Sequence, residues 1–445
     1  THSIIMEDAY IITGGNKISG EITLSGSKNV ALKTIIASLL FKNKVVIHNV
    51  PKIGDILELL HLVEKLGVTT TFSDTNTLEI DPTTLSEKTV DMLHASKLRV
   101  SFMLLAPLIH AFGECFIPNP GGCRIGARPI DRIIDAAEQI GVKTKYNHDT
   151  GYYKAQLTQS VKGSYRFTKS THTGTEFLIL LAVIGDDQVV IENAAQEPEI
   201  DELIQFLNQS GANIKKDGKT IMIEGVRELR QNEPLMLSSD RNEAVTFAVL
   251  AMTSGGKITV GPINPKLLSV FFDKIREAGG MVEINGDKVT FSAQDGLKAV
   301  DVETDIHPGF MTDWQPNWAV LMTQAEGKTT IHERVFEQRF SYVNELKKLG
   351  AQIEFIDPQV PNPETYYQFN YDPSKTYSQA IQINGKTKLH AGVLKMNDLR
   401  AGATLAIAAL ITQGESILEG ATILDRGYER FDEKIRSLGG AIRKV

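Results

Sequence analysis

The strongest constraint in this 445-residue chain is a pattern that recurs six times, an amphipathic helix signature followed by a glycine and a short alternating run. The endings are LGVTTTF from Leu66, IGVKTKY from Ile140, SGANIKK from Ser210, AGGMVEI from Ala278, LGAQIEF from Leu349 and LGGAIRK from Leu438. Each follows a segment such as IGDILELLHLVEK or PIDRIIDAAEQ, in which apolar residues recur at three and four, so the glycine reads as a helix C-cap. Before these helices lie β-rich runs such as KVVIHNV, QVVIENA and KITVGPI, and before those apolar helices such as VALKTIIASLL and ATLAIAALITQ. The implied unit is strand, helix, strand, helix, strand over roughly 70 residues, longer than the usual solenoid repeat. Six units divide into two sets of three. The first helices are apolar nearly all round, which predicts an α/β fold with helices inside and sheets outside.

The length exceeds what one hydrophobic core serves, so two domains are expected. With 42% apolar and 23% charged residues and no low-complexity tract, the composition is that of an ordered globular chain. The formal charge of -7, with basic residues scattered among acidic ones, leaves no footprint for a nucleic-acid backbone, so any anion must be bound locally. No apolar stretch approaches a membrane span and no charged-then-apolar leader opens the chain, which makes no membrane partner and a cytoplasmic location the expectation. Cys115 and Cys123 show neither disulfide-scaffold nor zinc spacing, and the ten histidines are dispersed, so no metal is expected. Neither GxxxxGK[ST] nor GxGxxG occurs, and no cofactor is expected.

Eight strings carry a resemblance that runs over nearly the whole chain: SGSKNVAL (25–32), PGGCRIGARPID (120–131), IENAAQEPEI (191–200), SSDRNEAVTF (238–247), HPGFMTDWQ (307–315), ERVFEQRF (333–340), NDLRAGATL (397–405) and DRGYER (425–430). In that order they resemble the enolpyruvyl transferases, in the branch whose acceptor is UDP-N-acetylglucosamine. The resemblance implies an inverse α/β barrel of two domains, each of three strand-helix units, with residues 28–238 forming the first and 1–27 with 239–445 the second. It implies an active site in the cleft between them. The implied reaction moves the enolpyruvyl group of phosphoenolpyruvate to the sugar nucleotide with loss of phosphate, at the start of peptidoglycan precursor synthesis. The sister enzymes acting on shikimate 3-phosphate share that fold, but the central cysteine of PGGCRIGARP matches the sugar-nucleotide branch. Two alternatives stay open, a paralogue for another nucleotide sugar and a silent ligand-binding homologue.

A phosphate and a carboxylate on three carbons demand several fixed cations. Lys28, Arg99, Arg128, Arg339, Arg400 and Arg426 are the candidates, and Lys28 opens an apolar helix whose N-terminus also favours an anion. The resemblance assigns Lys28, Arg128 and Arg426 to the phosphate and Arg339 and Arg400 to the carboxylate. Cys123 lies in a Pro- and Gly-rich loop beside Arg124 and Arg128, which favour a thiolate. The family places a general acid there, and the same thiol can add to phosphoenolpyruvate. Cys115 lies in a strand pattern and reads as an inert buried thiol. Asp313 is the implied base for the sugar hydroxyl. Asp398 reads either as a second carboxylate that orients Arg400 or assists proton traffic, or as a helix N-cap. Nucleotide contacts fall to Arg128, Pro129, Ile130, Asp131 and Arg132 and to Lys169, Ser170, Thr171, His172 and Thr173, with Val335 and Phe336 by the sugar and Asn29 beside Lys28. The chain departs from the family habit at STHTGTE (170–176), at the bulky Trp314 and at Ser27.

Overall fold

The computed structural model describes residues 8–120, 130–293 and 296–445. These divide into two compact units, one of residues 26–120 and 130–238, the other of 8–25 with 239–293 and 296–445. Among the described residues each unit carries three small open sheets with helices packed on them, an α/β arrangement that mixes parallel and antiparallel pairing.

In the unit of residues 26–238, helix α1 (Lys28–Ser38) begins where Ser27 Oγ accepts from the Val30 amide, and Val30 through Ser38 are all buried. Helix α2 (Leu105–Phe112) continues a 3-10 turn, Arg99–Leu104, that packs on α1. Helix α3 (His172–Ala182) is capped by Thr171, whose Oγ1 accepts from the Gly174 amide at 3.3 Å, and it is buried from Gly174 onward. Gly174 is required there, because a Cβ would stand 2.4 Å from the Thr171 methyl. This unit has three sheets, with orders Leu235–Met236, Val45–His48, Leu78–Asp81, Thr69–Phe72; then Glu114–Pro118, Tyr152–Leu157, Val142–Asn147; then Asn213–Asp217, Thr220–Glu224, Gln188–Glu192, Gly163–Arg166. The outer helix Gly54–Lys65 shows the other pattern: Ile56, Leu59, Leu60 and Val63 are buried at three- and four-residue spacing while His61, Glu64 and Lys65 are exposed. Each such fully buried aliphatic side chain contributes roughly 1.5–3 kcal/mol.

In the second unit helices α4 (Arg241–Thr253), α5 (Gln315–Thr323) and α6 (Leu399–Ile411) pack on one another and are buried along nearly their whole length. A helix without a solvent face has to satisfy its polar side chains internally. Here they bond across the helices: Asn317 Nδ2 donates to Thr246 Oγ1 at 3.0 Å, Thr404 Oγ1 donates to Asn317 Oδ1 at 2.7 Å, and Thr246 shares a 2.7 Å bond with the Tyr428 hydroxyl. The opening strand, Ala9–Gly14, lies between Gly414–Glu419 and Ala441–Lys444, antiparallel to both, with Ile12 opposite Ser416 and Ile442. The next strand, Gly20–Thr23, runs parallel to Lys257–Gly261. At six places among the described residues a helix closes on a glycine of φ between 86° and 119°, namely Gly67, Gly141, Gly211, Gly279, Gly350 and Gly439, and a strand starts within two residues. No helix among the described residues is long and apolar enough to cross a membrane.

Candidate active site

Four of the expected residues converge within the second unit. Asp313 lies in the 3-10 turn Thr312–Trp314 that leads into α5, where its Oδ1 meets Arg339 Nη2 at 2.7 Å and its Oδ2 lies 3.8 Å from Arg400 Nε. Both guanidiniums are buried, at 4% and 6% exposure, so their interactions are little screened by water. Burial works against the charge on each, but Asp313, Asp398 and Glu333 around Arg339, and Tyr428, Asp313 and Asp240 around Arg400, outweigh it, and both guanidiniums are held firmly protonated. Arg400 occupies the first turn of α6. Its Nη1 donates to the Tyr428 hydroxyl at 3.2 Å, which ties the guanidinium to the polar network between the three helices.

Asp398 is the N-cap of α6, its Oδ1 accepting from the Arg400 and Ala401 amides at 3.1 and 3.0 Å, while its Oδ2 accepts from the Ser341 hydroxyl. It therefore fixes the turn that presents Arg400 and adds negative charge near Arg339. Arg426 stands at the C-terminal end of the short helix Ala421–Asp425, half-buried.

Glu333 is a structural centre of the site that no motif in the sequence singles out. It is fully buried and takes five hydrogen bonds, from Thr304 Oγ1, the Val335 amide and the Phe336 amide on one oxygen and from Thr312 Oγ1 and Gln315 Nε2 on the other. A buried carboxylate is costly unless its lone pairs are filled in this way. The five bonds tie the Val335–Phe336 backbone to the turn that carries Asp313. Gln379 closes the other side, donating to the Glu333 and Phe336 carbonyls and accepting from the Gln338 amide at 2.6 Å. Gln338 sits at φ 51°, a conformation that side-chain-bearing residues seldom adopt, immediately before Arg339. The only trace of this in the sequence is that Glu333 heads the string ERVFEQRF.

The unit of residues 26–238 carries a second set. Lys28 Nζ is paired with Asp55 Oδ2 at 2.6 Å on the neighbouring outer helix, and Asn29 is half-buried in the same first turn of α1. Arg99 opens the 3-10 turn packed on α1, and burial lowers its pKa. Ile130 is buried ahead of the helix Asp131–Gln139, in whose first turn Asp131 is exposed and Arg132 half-buried. Lys169, Ser170, Thr171, His172 and Thr173 are half-buried and lead into α3. One turn further in, Glu176 is fully buried and joins Lys33 Nζ of α1 at 2.7 Å to His172 Nε2 at 3.2 Å. Burial pushes Glu176 toward the neutral form, but Lys33 and His172 prevail and keep its pKa low. Burial likewise opposes a proton on His172, and Glu176 and Glu197 outweigh it, so its pKa lies above the ordinary imidazole value. Asp55, Lys33 and Glu176 were not anticipated, because a partner on another helix leaves no local signature.

Cys123, Arg128 and Pro129 lie outside the described residues. Cys115 is fully buried in the strand Glu114–Pro118, and burial, aided by Glu114, pushes its thiol up to about 12. Among the described residues no three His, Cys, Asp or Glu side chains converge as a metal site requires.

Taken over its length, the chain is similar to several proteins that carry names. A protein named UDP-N-acetylglucosamine 1-carboxyvinyltransferase from Acidobacterium capsulatum is 36% identical over 98% of this chain and 96% of its own length. A protein of the same name from Idiomarina loihiensis is 34% identical over 98% and 99%. The crystal structure of the enolpyruvyl transferase NikO from Streptomyces tendae superposes with a TM-score of 0.86 over 99% of both chains, at 23% identity, a likeness of fold. The family model described as EPSP synthase (3-phosphoshikimate 1-carboxyvinyltransferase) matches residues 12–435. With that model spanning almost every element described above, the chain belongs to the EPSP synthase family.

Proposed function

We propose that the protein transfers the enolpyruvyl group of phosphoenolpyruvate to the 3′-hydroxyl of UDP-N-acetylglucosamine with release of phosphate, the first committed step of peptidoglycan precursor synthesis, in the cytoplasm. Relatives of that name aligned over 98% of the chain support the reaction and the acceptor. The observation that carries the chemistry is the buried pair Arg339 and Arg400 around Asp313, two fixed cations and one carboxylate in a chain of net charge -7.

The proposed course is addition and elimination. A proton delivered to C3 of phosphoenolpyruvate makes C2 cation-like, the sugar oxygen adds to C2 as its hydroxyl proton leaves, and loss of phosphate from C2 with a proton from C3 restores the double bond. Cys123 is the proposed acid and Asp313 the proposed base. Lys28, Arg128 and Arg426 are assigned to the phosphate, with Arg99 as a further cation, and Arg339 and Arg400 to the carboxylate. The latter pair now holds Asp313, so an incoming carboxylate exchanges for it and leaves Asp313 free to accept a proton. Asp398 serves by fixing Arg400. Asn29, Pro129 to Arg132, Lys169 to Thr173, Val335 and Phe336 are assigned to the sugar nucleotide. The finer architecture belongs to the same reading: two enolpyruvyl-transferase domains, 28–238 and 1–27 with 239–445, each an inverse α/β barrel of three units. The three sheets around buried helices in each compact unit support it.

Phosphate release from phosphoenolpyruvate, assayed with a panel of acceptors, tests the proposal. Release that depends on UDP-N-acetylglucosamine is expected. Release only with another nucleotide sugar, or with shikimate 3-phosphate, would move the reading to that acceptor.

A further inference from the structure

Asp313 is also gripped from a side that the arginines do not account for. Asn242 Nδ2 donates to Asp313 Oδ2 at 3.3 Å, and Trp314 Nε1 donates to Asn242 Oδ1 at 3.0 Å. Asn242 and Trp314 are buried, at 6% and 2% exposure. The Asn242 backbone is fixed in the first turn of α4, where its amide donates to the N-cap Asp240 at 2.8 Å. Trp314 is wedged against Phe271 and Phe310, with ring centroids 5.6 and 5.5 Å away, and the Arg241 guanidinium lies 5.9 Å from its ring. An indole N–H can only donate, so it compels the amide to turn its oxygen toward Trp314 and its NH2 toward the carboxylate. A flipped amide would set its oxygen against Asp313.

We propose that Asn242 and Trp314 form a positioning pair for Asp313, holding Oδ2 in place and favouring its ionised form while Arg339 and Arg400 change partners. The inference rests on the reading of Asp313 as the proton acceptor. Around that carboxylate stand Arg339 and Arg400 as cations, with Asp398, Glu333, Asp240 and Tyr428 acting through those two arginines. A carboxylate held by cations alone would follow or lose them when a second anion arrives. A neutral donor competes weakly for that anion and stays. Trp314 thus has a role that its size alone does not suggest: it sets which face of a neighbouring amide the base meets. Neither Asn242 nor Trp314 exchanges a proton, and the hydroxyl proton passes to Asp313 only.

The test is the pH profile of kcat for the wild-type chain, Asn242→Leu, Trp314→Phe and the double variant, with folding followed by circular dichroism. Loss of a hydrogen bond to a charged group corresponds to about one pH unit, so each single variant should raise the acid limb by roughly that amount. The double variant should shift no further than the larger single, and KM for phosphoenolpyruvate should stay within about two-fold. Acid limbs that coincide with wild type, or shifts that simply add, would overturn the pair. The chain has two tryptophans, so 15N-indole spectra give a readout independent of turnover. The resonance lost in Trp314→Phe should move in Asn242→Leu and remain near its wild-type position in Asn242→Asp, which keeps the acceptor. An unmoved resonance in Asn242→Leu would sink the hydrogen bond itself. Absence of turnover in the wild-type chain strikes the proposed reaction instead, and the indole spectra still decide the pair.

Discussion

Cys115 and Cys123 stand eight residues apart and have opposite prospects. The Cys115 thiol is fully buried and pushed up to about 12, so almost none of it is thiolate at neutral pH. Cys123 is the proposed acid. An alkylating agent is therefore expected to modify one thiol in the folded protein, and loss of phosphate release should track that modification. Cys115→Ser should leave the rate within about two-fold, and Cys123→Ser should lower it by on the order of a hundredfold or more. Equal effects of the two substitutions would remove Cys123 from the acid role. At this scale the sequence singled out, through long strings, Asp313, Arg339 and Arg400, which come together in the fold. It was silent where a role comes from a partner far along the chain. Asn242 and Trp314 are separated by 72 positions, and the five donors that make Glu333 a strut come from both sides of it in sequence.

Among the elements, the helix-to-strand corners were the easiest to anticipate, because a glycine after the last apolar position of a helix has a simple physical meaning. The six corners are alike in backbone and differ in their surroundings. At Gly211, φ 105°, an added Cβ would meet nothing closer than the Glu228 carbonyl at 3.9 Å. At Gly67, φ 92°, it would stand 2.2 Å from Ser86 Oγ and 3.0 Å from the Thr84 carbonyl. Gly211→Ala should thus cost only the backbone term, roughly 1–2 kcal/mol, and Gly67→Ala should cost more. Urea unfolding of the two variants checks this, and equal midpoints would mean that the Ser86 turn yields freely. Less legible were the polar contacts between the buried helices. The polar residues Thr246, Asn317 and Thr404 stand in otherwise apolar helices with nothing nearby in sequence to show that they bond to one another.

For the molecule as a whole, stability should respond to pH through the cluster that joins α1 to α3. The folded-state pKa of His172 is raised, since Glu176 and Glu197 outweigh burial. Its contribution is therefore fully present below the unfolded value of about 6.5 and is lost as pH rises through the higher folded value. Denaturant midpoints measured upward from pH 6 should fall in the wild type more than in His172→Gln, and parallel curves would show that the imidazolium adds nothing. The pairing of the opening strand has a different kind of consequence. Ala9–Gly14 is synthesised about 400 residues ahead of both strands that flank it, Gly414–Glu419 and Ala441–Lys444. At roughly 5–20 residues per second the nascent segment waits on the order of a minute with both edges open, while residues 26–238 have all been synthesised and are free to collapse on their own core. Tyr10 and Ile12, buried in the finished protein, spend that interval without their partner strands, which leaves the stretch open to wrong pairing unless a chaperone shields it.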